Sequence, residues 1–169
     1  MRYKVVPPVR SIEFLREAAG TLPLVPGSVE DCCSRVRDGT EVVSRDEARE
    51  YLTFMQALGL ISETDRGFHR VRKTPDDDTL AAAFRECVFG TAEVLAAVAD
   101  EPQTAEAVFA VLGEEIPQWE RDRYEDWETQ WRERTERLLG WAITFGLVRV
   151  ERERDRETDR FVATSGTER

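Results

Sequence analysis

The chain has 169 residues, 41% of them hydrophobic, and a formal net charge of −10; this length is enough for one domain or for two of roughly 80 residues. No apolar run approaches the roughly 18 residues of a membrane helix, which excludes a membrane protein. The first residues also lack the apolar stretch of a signal peptide, so we expect a cytoplasmic protein.

The first half of the chain predicts three helices. The first covers residues 11–18 and the second residues 28–37, each after residues that favour a helix start. The third begins at Arg45, because Ser44 and Glu47 have the spacing of a capping box. Residues three and four apart then form one buried stripe on this helix. The stripe consists of Ala48, Tyr51, Leu52, Met55 and Leu58.

A charged β-hairpin follows the third helix. Strands at residues 60–64 and 68–72 flank a turn at residues 65–67. Residues 74–89 predict a linker and a connecting helix, because Pro75 stops regular structure and an apolar stripe follows. The stripe consists of Leu80, Phe84, Cys87 and Val88, and the helix is expected to end at Gly90.

The second half of the chain repeats this order. Residues 137–148 echo residues 50–61, and in both copies an apolar helical face ends at a glycine, Gly59 or Gly146. Glycine stops a helix because it enters positive φ without steric cost. The predicted organisation is a first unit with an N-terminal extension, a linker with its helix, a second unit and a disordered tail. Their boundaries are 1–73, 74–89, 90–164 and 165–169.

The third helix of the second half is predicted to run from Gln118 to Phe145, far longer than its counterpart. Aromatic side chains recur along it at helical spacing, and two Glu–Arg pairs four residues apart lie on its outer surface. The aromatic stripe either packs on the chain's own core or binds a partner with its N-terminal half. The interface candidates are Trp119, Tyr124, Trp127 and Trp131.

Three helices followed by a charged hairpin, present twice, resemble the winged helix-turn-helix domain. The resemblance implies a mainly helical α+β fold with small β-hairpins and two winged-helix-like units in tandem. Abundant carboxylates, with Lys4 and Lys73 as the only lysines, are similar to the composition of proteins from salt-loving archaea. In such proteins an acidic balance does not argue against binding a phosphate backbone, as it otherwise would.

The winged-helix resemblance implies that the third helix enters the major groove of double-stranded DNA and that the hairpin, the wing, contacts the backbone. The candidate nucleic-acid-binding residues are Ser44, Arg45, Arg49, Arg70, Arg72, Lys73, Arg152, Arg154 and Arg156. In the second wing, alternating charges at residues 151–157 place the arginines on one face of an extended strand, or form a self-neutralising loop. Acidic residues on the first turns of the first recognition helix count against phosphate contact.

Two functions are therefore open. The leading hypothesis is a DNA-binding transcription regulator. The alternative is a tandem winged-helix adaptor or scaffold that binds protein, or forms a homodimer, through the long Trp-rich helix. A basic face on the recognition helix and wing would favour the first, and an exposed aromatic patch would favour the second.

No residue pattern predicts catalysis. The chain has no glycine-rich phosphate loop, no nucleophile elbow and no Cys or His metal spacing. Cys32, Cys33 and Cys87 are interpreted as small buried thiols, and His69 is the only histidine. We expect a non-enzymatic protein without a cofactor or a bound metal.

Overall fold

The computed structural model describes residues 3–152 and 158–164. Contacts divide the chain into two compact units, Met1–Phe89 and Gly90–Arg169. Helices predominate, and the strands form two small antiparallel sheets, which confirms the predicted α+β class. The tail predicted to be disordered, residues 165–169, lies outside the described residues.

Capping side chains set the helix starts of the first unit. The helices are α1 (Ile12–Gly20), α2 (Val29–Gly39), α3 (Arg45–Ala57) and α4 (Asp77–Cys87). Ser11, Ser28 and Ser44 each accept a hydrogen bond from the backbone N–H three residues later, and Asp76 does the same for α4. The predicted start of the third helix at Arg45 is confirmed.

The hairpin of the first unit is confirmed with slightly shorter strands, β1 (Ile61–Thr64) and β2 (Gly67–Arg70). They pair antiparallel, with Ile61 opposite Arg70. The other edge of β2 pairs with the segment before α2: Gly27 and Phe68 exchange two backbone hydrogen bonds of 2.8 and 2.9 Å. The wing is thereby attached to the turn that precedes α2.

The predicted stripe of α3 forms the core of the first unit, since all five of its side chains are buried. The Tyr51 hydroxyl donates to the Pro8 carbonyl at 2.6 Å and accepts from Arg10 at 3.0 Å. On α4, Phe84 packs edge-on against Phe54, with ring centroids 6.2 Å apart. The helix predicted as a connection therefore packs on α3 of the first unit.

Gly90 does not end α4, contrary to the prediction. The helix stops at Cys87 because Val88 is extended and bridges to Tyr3, whose backbone N–H donates to the Cys87 carbonyl at 2.7 Å. Gly90 instead takes the N-cap position of the next helix with φ of 92°, a conformation that glycine adopts without steric cost.

The second unit repeats the connectivity of the first. Its helices are α5 (Thr91–Ala97), α6 (Ala105–Glu114), α7 (Gln118–Arg123) and α8 (Trp127–Thr144). Its strands are β3 (Gln103–Thr104), β4 (Val148–Glu151) and β5 (Arg160–Ala163), in the sheet order β3-β5-β4. Gln103 pairs with Phe161 as Gly27 pairs with Phe68. Gly59 and Gly146 have φ of 81° and 74°, which confirms the predicted helix stops.

The single long helix predicted from Gln118 to Phe145 is wrong, because the structure breaks it into α7 and α8. Tyr124 is extended, with φ of −133° and ψ of 129°. The Asp126 carboxylate accepts from the Gln130 side chain at 2.9 Å at the start of α8. The break allows α7 to pack on α8, with the Arg121 guanidinium 4.9 Å from the centre of the Trp127 ring.

Candidate nucleic-acid interface

Helices α2 and α3 of the first unit form a helix-turn-helix with a short, ordered turn. The Thr40 hydroxyl donates to the Val36 carbonyl at 2.6 Å and accepts from the Val42 N–H at 3.2 Å. Val42 is buried, whereas Val43 is exposed. The N-terminal end of α3 therefore lies open to solvent, as a recognition helix requires.

At that end, two of the residues predicted to contact DNA, Ser44 and Arg45, form hydrogen bonds and ion pairs within the protein instead. The Ser44 hydroxyl accepts from the Glu47 N–H at 3.3 Å. The Arg45 guanidinium binds both carboxylate oxygens of Glu30 on α2, with 3.0 Å from Nε to each, and lies 3.5 Å from Asp46. Arg45 thus connects the two helices of the motif.

The second unit contains the same ion pair, which the sequence analysis did not predict. Arg132, the counterpart of Arg45 in the repeat, binds Glu106 through two contacts of 2.9 and 3.1 Å. Glu30 and Glu106 are each the second residue of their helix. A shared Glu after each capping Ser or Thr was visible in the sequence, but its partner was not. The repetition indicates a structural role for both arginines.

These ion pairs predict a pH-dependent contribution to stability. Hydrogen bonds from Arg45 and Arg132 hold the pKa of Glu30 and of Glu106 below the ordinary value of 4.5. A lowered folded-state pKa stabilises the fold above the unfolded-state pKa, and this contribution is lost as the pH falls through the folded-state pKa. We expect the double variant Glu30→Gln, Glu106→Gln to have a lower Tm than the wild-type chain near neutral pH, and the difference to disappear as the pH falls from 4.5 through the lowered folded-state pKa values.

Thermal unfolding followed by circular dichroism at a series of pH values measures this difference. The control is the double variant Glu17→Gln, Glu86→Gln, which removes two exposed carboxylates that have no ion pair among the described residues. It should follow the wild-type curve at every pH. A Tm difference for the Glu30 and Glu106 variant that does not change with pH would contradict the prediction.

Arg49 lies one turn after Arg45 and faces the wing. Its guanidinium is 5.7 Å from the centre of the Phe68 ring of β2, and among the described residues it forms no ion pair. Phe68 is buried, whereas Arg49 is exposed. An arginine held over an aromatic ring keeps its N–H groups available for an anion or a base edge.

The predicted basic residues of the first wing have different surroundings. Arg70 and Arg72 line a groove with Arg16 of α1, and Lys73 lines another depression beside Gly59 and Pro75. Arg66, which was not among the predicted contacts, is exposed in the hairpin turn, and its N–H donates to the Thr64 hydroxyl at 3.2 Å. Its position in the turn is visible in the sequence, and the tip of a wing is the part expected to contact a DNA backbone.

The described part of the second wing is largely self-paired. Arg152 binds Asp159 with an Nε to oxygen distance of 2.9 Å, and Arg149 pairs with Glu151 at 3.0 Å. The other two predicted contacts, Arg154 and Arg156, lie outside the described residues. The pairing of Arg152 with Asp159 fits the second interpretation of this wing, in which its charges pair with one another.

An extra helix separates the two helices of the motif in the second unit. Only residues 40–44 join α2 to α3, whereas residues 115–126, including α7, join α6 to α8. Of the predicted interface residues, Trp131 is 7% exposed, Trp127 is half-buried, Trp119 is 56% exposed and Tyr124 is 39% exposed. The aromatic stripe therefore divides into a packed part and an exposed part.

Charged side chains attach α7 to α8. Burial lowers the pKa of Arg134 on α8 to about 10, and the carboxylate of Glu120 on α7 acts in the opposite direction. Glu120 is itself buried. The Arg121 side chain also donates to the Gly113 carbonyl at the end of α6. Thus α7 packs against one side of α8 near Trp127 and Arg134, while Glu128, Thr129 and Gln130 in the first turn of α8 remain exposed.

Comparison with known protein families identifies one match. The family model of the halobacterial double winged helix domain matches residues 1–161. Comparison with curated proteins and with solved structures gives no significant match. Among the described residues no helix has the length and apolarity to cross a membrane. The family match confirms the resemblance to a tandem winged-helix protein of halophilic-archaeal type.

Proposed function

Because this chain belongs to the halobacterial double winged helix domain family, we propose that it is a non-enzymatic regulator of transcription that binds double-stranded DNA through its first unit. In this proposal α3 enters the major groove, and the wing formed by β1 and β2 lies along the phosphate backbone. Arg49 contacts a base edge, and Arg66 contacts a phosphate.

The proposal rests on one observation: neither Arg49 nor Arg66 forms a close ion pair among the described residues, although the net charge of the chain is −10. Arg49 lies on the exposed side of α3 against the wing, and Arg66 lies in the turn of that wing. Arginine is the residue that most often contacts guanine with two hydrogen bonds. Arg45 is left with the structural role that Arg132 has in the second unit.

Protein binding through the second unit is a second candidate function. It is supported by the exposure of Trp119 and Tyr124, with Val111 of α6 also exposed. Tyr and Trp are enriched among the residues that dominate protein interfaces. The helix α7, which carries Trp119, has no counterpart in the first unit, so the second unit offers a protein partner a surface that the first unit lacks.

Binding to DNA fragments from the protein's own organism, titrated in molar KCl, tests the first proposal. We expect selected fragments to bind the wild-type chain and the variant Arg49→Ala to bind them about tenfold more weakly, as expected for loss of a bidentate base contact. The control is Arg85→Ala on α4, which removes another arginine without an ion pair among the described residues. It should bind like the wild-type chain.

Two results would overturn DNA binding by the first unit. One is the absence of any selected fragment. The other is an equal loss of affinity in both arginine variants, which would indicate attraction by net charge alone. A protein partner that is captured by the wild-type chain but not by the variant Trp119→Ala would then support the second candidate.

A further inference from the structure

A groove of about 370 Å³ lies on the first unit between the C-terminal end of α1 and strand β2. Its basic residues are Arg16, Arg70 and Arg72, and its exposed apolar surface comes from Leu24, with the buried Ala19 and Leu60 behind it. None of the described residues that line it is acidic, although the chain contains 34 acidic residues. The groove thus combines positive charge with an apolar wall.

Hydrogen bonds of the fold hold two sides of this groove in place. The Arg16 guanidinium donates to the Pro75 carbonyl at 2.9 Å and to the Asp77 carboxylate at 2.7 Å. The Arg70 backbone N–H donates to the Pro23 carbonyl at 3.0 Å, which positions the adjacent Leu24 beside β2. The fold therefore fixes Arg16 and Leu24 on the two sides of the groove.

Arg70 and Arg72 supply the charge that is available to a ligand. Asp77 neutralises Arg16, but Arg70 and Arg72 have no ion pair among the described residues. Arg70 ends β2 and Arg72 lies in the bend that follows it, and both line the groove. Two neighbouring guanidinium groups match the planar geometry of a carboxylate.

We propose that this groove binds a small organic anion, a carboxylate with a short apolar chain. Arg70 and Arg72 bind the carboxylate, and the apolar part packs on Leu24, next to Leu60. The volume is within the range of about 300–1,000 Å³ that small-molecule sites occupy. The ligand needs both the carboxylate and the apolar chain, because a bare phosphate would not contact the apolar side of the groove. The proposal does not depend on DNA binding.

Methyl chemical shifts of the intact chain in molar KCl, titrated with hexanoate and separately with hexanamide, test this site. Hexanoate should shift the Leu24 and Leu60 methyl resonances saturably, in roughly the millimolar range. Hexanamide has the same chain without the charge and should bind at least about tenfold more weakly, since the charge-assisted bonds are lost. The double variant Arg70→Gln, Arg72→Gln should abolish the hexanoate response.

The matched control is Arg85→Gln, which removes an arginine of the same unit that does not line the groove and should leave the hexanoate response unchanged. Circular dichroism of each variant establishes that it is folded. The proposal is overturned if hexanoate gives no saturable shift or if hexanamide binds equally well. A loss of the response in Arg85→Gln as large as that in the double variant would also overturn it.

Discussion

Replacement of Trp141 by alanine is expected to destabilise the second unit by about 3–5 kcal/mol, the usual cost of removing a large buried aromatic side chain. Trp141 is 0% exposed, and its ring stacks on Phe145 at a centroid distance of 5.8 Å. It occupies the position that Phe54 has in the first unit. Denaturant unfolding in molar KCl, followed by tryptophan fluorescence, measures the change.

Trp119 provides the matched control for this substitution. It lies in the same unit but is 56% exposed, so we expect the variant Trp119→Ala to lose no more than about 0.5 kcal/mol. All four tryptophans lie within residues 119–141, so the three that remain in each variant report on the second unit. Equal destabilisation by the two substitutions would contradict the packing described for Trp141.

The variant Gly67→Ala is expected to destabilise the first unit by about 3 kcal/mol or more, because it combines a strained backbone with lost hydrogen bonds. Gly67 has φ of 125°, and a Cβ atom there would overlap the Gly27 carbonyl. The two hydrogen bonds between Gly27 and Phe68 would therefore break. Far-ultraviolet circular dichroism should show earlier unfolding, while the tryptophan signal of the second unit is unchanged.

Gly59 separates backbone strain from this overlap. It also has positive φ, at 81°, but a Cβ atom there would have no neighbour within 4 Å. We expect the variant Gly59→Ala to cost only the left-handed backbone conformation, about 1–2 kcal/mol. If Gly59→Ala destabilises the first unit as much as Gly67→Ala, the contact between Gly27 and the wing is not the cause.

The elements of the first unit could be predicted because their signals are local. Ser44 caps α3, five side chains at helical spacing form its buried stripe, and Gly59 stops it. Each of these features acts within a few residues, so the sequence order alone reveals it. The hairpin that follows was predicted in the same way, from the strand-forming residues and the turn at residues 65–67.

The break between α7 and α8 had no such signal. Neither Gly nor Pro occurs at residues 124–126, and the aromatic spacing continues across the break, so periodicity indicated one helix. The break depends on the packing of α7 on α8, including Glu120 beside Arg134. Packing between elements is not contained in a local pattern.

The candidate site was predicted only in part for the same reason. Arg45 and Glu30 are 15 residues apart and meet only when α2 packs on α3. Arg70 and Arg72 looked like wing contacts, but the groove they form needs Arg16 from α1. A basic residue can be located in a sequence, whereas its partner depends on the tertiary fold.

The inserted helix α7 makes the two units unequal, which bears on the DNA target. Two equivalent recognition helices would select two copies of one short sequence, as dimeric regulators do with their half-sites. Arg132, the counterpart of Arg45 at the start of α3, follows α7 and five further residues of α8, so the two recognition helices do not present equivalent N-terminal ends. We therefore expect the selected DNA fragments to share one short, unrepeated element and to show a footprint of about one helical turn.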